Sequence, residues 1–99
     1  MQHISLIAEA IDRLGGVAGA ARSLGRRRAA VQKWLSGAVP PAEVICLLEC
    51  AGVLSVGDLL AVYRSAAASG APDAALWARA ADRIVEARAI FAMIGGRHA

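Results

Sequence analysis

Arg26, Arg27 and Arg28 stand in a row, followed by Gln32 and Lys33 within the next five positions. Like charges this close repel one another, so a polyanion outside the chain is the natural compensation. An arginine guanidinium is a planar fork that matches the O6 and N7 acceptors of guanine. Glutamine pairs in the same bidentate way with adenine, and an alanine methyl such as that of Ala29 can touch a thymine methyl. Lysine and arginine at the margins neutralise phosphates and release counterions. Between Asp12 and Glu43 there is no acidic residue, while Arg13, Arg22, Arg26, Arg27, Arg28 and Lys33 all fall there. The remaining chain holds five basic and eight acidic residues, so a basic patch sits on an acidic body. That division points to a nucleic-acid partner.

No other cluster carries chemistry. The histidines, His3 and His98, lie at opposite ends, outside the segments read as structured, and Cys46 and Cys50 have no further ligands nearby. A metal site, a cofactor and a Ser-His-Asp or Cys-His catalytic set are therefore not expected, and the chain is read as a non-enzyme. The two cysteines, four apart, are expected as buried or half-buried structural thiols. Glu9 with Arg13, Asp82 with Arg79, and Glu86 with Arg83 read as helical surface pairs. Apolar runs are interrupted well before the roughly 20 residues a bilayer requires, and Glu9 and Asp12 do not suit a signal peptide. A cytoplasmic location is expected.

The elements that must hold the basic residues are helices. Ile4, Ile7, Ala8, Ile11 and Leu14 recur at helical spacing, and Gly15-Gly16 ends that run. "VAGAARSL" forms a short second helix closed by Gly25. "RRRAAVQKWLSG" follows, with Val31, Trp34 and Leu35 inward and the charged residues outward. Pro40-Pro41 start a fourth helix that Gly52 breaks. Ser55 and Asp58 occupy capping-box positions for a fifth. Pro72 and Asp73 start a sixth that runs to about Ile94, before Gly95-Gly96. The expected fold is all-α: a short-helix bundle over residues 1–52, then a helical hairpin over 53–99. In the last helix Trp77, Ile84 and Phe91 repeat at seven, as do Ala80, Ala87 and Ile94, giving an a/d seam. That seam packs either against residues 55–68 of the same chain or against a second subunit. Leu60 and Tyr63 would join the same oligomer or partner interface.

Two short helices joined at a glycine, the second basic, meet the requirements of a helix-turn-helix. Residues 4–51 resemble the lambda-repressor-like, Cro-type helix-turn-helix family, most closely its YdaS-type antitoxin branch. The resemblance rests on Gly15-Gly16, "AARSLG" at 20–25, "VQKW" at 31–34, Gly37 and Pro40-Pro41. It implies that Arg27, Arg28, Ala29, Gln32 and Lys33 reach base edges and that Val17 lies at a phosphate; by their charge Arg22, Arg26 and Arg13 are expected at phosphates too. Ala21, Val31 and Trp34 would set the angle between the two helices. Arg26 replaces an aliphatic residue of the family, and Arg27 replaces a Ser or Thr cap worth about 1 kcal/mol. The function implied is a bacterial or phage DNA-binding regulator, a homodimer on an inverted repeat of double-stranded DNA. The alternative is an adaptor or antitoxin that binds a toxin, RNA polymerase or second regulator through its C-terminal helices.

Overall fold

A computed structural model describes residues 2–98 of the chain, with side chains from 3 to 94. All regular structure among the described residues is helical: α1 (Gln2–Arg13), α2 (Gly16–Leu24), α3 (Arg28–Leu35), α4 (Ala42–Cys50), α5 (Val56–Ala67) and α6 (Ala74–His98).

The apolar spacing of α1 turns His3, Ile7, Ala10 and Ile11 inward. Helix α1 then packs on α2, α3 and α5, while α6 lies along α5 and α4. Close approach of α1 and α2 depends on Gly19. A β-carbon there would lie 2.2 Å from the Leu14 carbonyl oxygen, far inside contact distance. Gly25 ends α2 in the left-handed region at φ +65, and its neighbour's N–H reaches back from Arg26 to the Ala21 carbonyl at 2.9 Å. This six-to-one closure makes the turn into α3 tight. At α5 the Asp58 N–H donates to Ser55 Oγ at 3.3 Å, one half of the expected capping box.

Three expectations about organisation change. First, residue 52 is not a break in the core. One cluster runs from Ile7, Val31 and Trp34 through Val44, Ile45 and Leu48 to Leu59, Tyr63, Trp77 and Ile84. Residues of α5 and α6 belong to the same buried cluster as those of the four short helices. Second, α6 does not stop at Ile94 but continues through Gly95-Gly96 to His98. Third, His3 belongs to α1 and is 1% exposed, its ring 5.4 Å from that of Tyr63 and 5.1 Å from that of Trp77. An amphipathic helix starting at residue 2 carries position 3 onto the same face as Ile7 and Ala10. The side chain of His98 lies outside the described residues.

The residues expected at an oligomer or partner interface divide. Leu60, Tyr63, Trp77 and Ile84 are buried within one chain, between α5 and α6. Of that set only Phe91 keeps a partly exposed side chain. The hairpin closes on the Trp77 and Ile84 side of its expected seam, so these four side chains cannot also cover a second subunit, while Ile94, expected on that seam, is 54% exposed.

Candidate nucleic-acid interface

Helices α2 and α3 meet through Ala20, Ala21 and Leu24 on one side and Val31 and Trp34 on the other, all buried. Alanines at the crossing let α3 lie close, and the bulk of Trp34 fixes its inward face. Positions 29, 32, 33 and 36 then share the outward face at helical spacing, with Arg28 at its edge. Arg27, Arg28, Ala29, Gln32 and Lys33 are all exposed. The structure brings these five onto one short surface beside the turn. A shallow hollow of about 520 Å³ borders them, lined by Gly25, Arg27, Ala29, Lys33 and Ala38 among others.

The amino end of α3 has no side-chain cap. Arg27 occupies the cap position in extended conformation, φ −73 and ψ 147, and accepts no N–H with its side chain. The first N–H groups of the helix therefore point outward among arginines. Free N–H groups and the positive end of the helix dipole favour an anion, while the guanidiniums beside them repel one another. Helix α2 starts in the same way: Gly15 supplies no side-chain cap, and Val17 is half-buried in its first turn.

The other expected phosphate neighbours take separate positions. Arg22 is exposed in the last turn of α2. Arg13 is bonded to Glu9 at 2.7 Å, the expected helical pair. Arg26 does not stand free: its Nη2 donates to Glu43 Oε1 of α4 at 2.7 Å. The acidic residue that ends the acid-free stretch thus folds back onto its third arginine. This pair ties the turn to α4 in place of the apolar contact an aliphatic residue would make. Sequence spacing gave no sign of it, because the partners are 17 residues apart.

Elsewhere the titratable groups differ from expectation. Asp82 and Glu86 pair with neither Arg79 nor Arg83. The third ion pair among the described residues instead joins Arg88 of α6 to Glu49 of α4 at 2.9 Å. Cys46 is buried, and burial pushes its thiol up from the ordinary range. Cys50, expected at least half-buried, is exposed because α4 ends there, short of a covering element. Burial lowers the pKa of His3 and raises that of the Tyr63 hydroxyl. Neither imidazole nitrogen nor the hydroxyl has a hydrogen-bond partner among the described residues. Trp77 Nε1, by contrast, donates to Asp73 Oδ2 at 3.0 Å.

Among the described residues there is no group of three His, Cys, Asp or Glu able to hold a metal ion, and no helix long and apolar enough to cross a membrane. Compared with models of known protein families, with curated proteins and with solved structures, the chain matches none.

Proposed function

We propose that the chain is a sequence-specific DNA-binding regulator of bacterial or phage type, working in the cytoplasm and reading the major groove with α3. One observation carries this reading: Arg27 at the cap of α3 and Arg28 and Lys33 on it are exposed beside Gln32, and none of these three cations takes part in an ion pair of the described residues. Arg27 and Arg28, held at the amino end of α3, lower stability in the free chain, because that end of a helix repels cations. They gain if phosphates and guanine edges fill the space before them. An eight-residue helix is about 12 Å long, matching a groove about 12 Å wide. Arg27 and Arg28 are assigned to guanine edges, Gln32 to adenine, Ala29 to a thymine methyl, and Lys33 to a further base edge. Val17 with the open N–H groups of α2, Arg22 and Arg13 are assigned to flanking phosphates. Arg26 is assigned to the turn instead, through Glu43.

Two copies on an inverted repeat would set recognition helices one DNA turn apart, with half-sites roughly 10 bp between centres. Selection of bound sites from random duplex DNA tests the reading. A reproducible motif is expected, with log affinity falling against log salt at a slope of about −4 to −5 for four to six neutralised phosphates. Arg27→Ala with Arg28→Ala should abolish the preference while leaving the salt slope, set by the phosphate contacts, nearly unchanged. Unchanged attachment to preferred oligonucleotides after that replacement overturns the reading.

A further inference from the structure

Helix α6 carries a second stripe beside its buried one. Residues 76, 80, 83, 87, 90 and 94 alternate in steps of four and three, the spacing of one helix face. Leu76, Ile90 and Ile94 on that stripe are 52%, 56% and 54% exposed, and Met93 at its margin is 66% exposed. Ala80 and Ala87 lie between the large residues. The two ends of the stripe differ. Near Leu76 it borders a groove of about 380 Å³ that Val39, Pro40 and Pro41 line together with Ala80 and the exposed Arg83. Near Ile94 it runs past Arg88, the last residue of α6 tied to α4 by an ion pair. Residues 89–96, "AIFAMIGG", carry no charge. The groove and the projecting apolar end are thus on one face, separated by 18 residues or about 27 Å.

We infer that this face is an interface with a second copy of the chain, in which two α6 helices pair antiparallel about a two-fold axis level with residue 85. A two-fold contact needs a patch that complements itself, and this stripe does so in a single register. Leu76 falls opposite the partner's Ile94, Ala80 opposite the partner's Ile90, and Arg83 opposite the partner's Ala87. Large side chains meet alanines at the centre, as close packing requires. Each projecting end enters the other copy's groove between α6 and Pro40-Pro41. Charge agrees with the register. Arg83 comes alongside the partner's Glu86, and neither residue is engaged in an ion pair of the described residues. An unrelated apolar partner would account for the overhang or for the groove, but not for their matched order on one helix.

The inference does not rest on DNA binding, and its test contains no DNA. Sedimentation equilibrium of the full chain should give twice the mass of one chain. Arg83→Glu should weaken the dimer about tenfold, since each dimer holds two such contacts with the partner's Glu86. Glu86→Arg should do the same, and the two together should restore affinity to within about threefold. These positions are exposed, so circular dichroism should show folded chains throughout. In a Cys50→Ser background, Leu76→Cys combined with Ile94→Cys should yield a covalent dimer on mild oxidation, whereas Ile90→Cys alone should not. A monomer at about 100 µM, charge reversals without effect or without mutual rescue, or cross-linking through Ile90→Cys alone each overturn it.

Discussion

Replacing His3 by leucine should stabilise the chain and flatten its response to acid. His3 is 1% exposed, and both ring nitrogens are without hydrogen-bond partners among the described residues. A neutral imidazole offers one donor and one acceptor, and each buried, unpaired group costs about 1–3 kcal/mol. Leucine removes both, at the loss of edge-to-face contacts with Tyr63 and Trp77 worth about 0.5–1.5 kcal/mol each. The net gain should be about 1 kcal/mol at pH 7.5. Acid enlarges it. Burial holds the folded-state pKa of His3 below 6.5, so the unfolded chain takes up the proton first. Wild-type stability then falls as pH drops below 6.5, by as much as about 1.4 kcal/mol per unit until the folded pKa is reached. At pH 5.5 the leucine variant should lead by up to about 2.4 kcal/mol. Urea unfolding at pH 7.5, 6.5 and 5.5 reads the difference; with a slope near 1 kcal/mol per M, the midpoints should separate by about 2 M at pH 5.5. A wild-type midpoint that does not move between pH 7.5 and 5.5, or a leucine variant less stable at every pH, would refute the account of a neutral, unpaired imidazole.

Gly19→Ala should destabilise the chain by about 3 kcal/mol or more, because its β-carbon would meet the Leu14 carbonyl at 2.2 Å and force α1 and α2 apart; thermal unfolding reads the loss, and an unchanged midpoint would show that the helices separate freely. Ser55→Ala should cost about 1 kcal/mol by removing the acceptor for the Asp58 N–H, while Ser55→Asp keeps stability near wild type in the same urea assay. Glu43→Gln should cost under about 1 kcal/mol in stability, since the Arg26 pair is largely exposed. It should nonetheless change specific DNA affinity by a larger factor than nonspecific affinity, because it loosens the turn before α3; equal changes in both would assign Arg26 to phosphate alone.

Tertiary contact sorts the candidate site into two kinds of residue. Arg27, Arg28, Gln32 and Lys33 were legible because Val31 and Trp34 claim the inward face of an eight-residue helix and leave them no other direction. Arg26 was not legible. Its partner, Glu43, arrives from α4, and only the packing of α4 against the turn decides that this arginine is tied down while its neighbours stay open. His3 was missed for a similar reason. A polar residue near the start of a chain carries no burial signal until α5 and α6 close over it with Tyr63 and Trp77.

The sequence alone determined the helices, their glycine-marked ends except that of α6, and the concentration of positive charge on the third, since these follow from local propensity, periodicity and counting. It also contained the seven-residue repeat of α6, but not its orientation. In an alanine-rich helix two adjacent stripes, one through Trp77 and Ile84 and one through Leu76 and Ile90, share the same period. Which of them turns inward depends on the shape offered by α4 and α5, and aromatic bulk filling the space beside His3 and Tyr63 settled it. The other stripe stayed outside because one helix can bury only one face against one body.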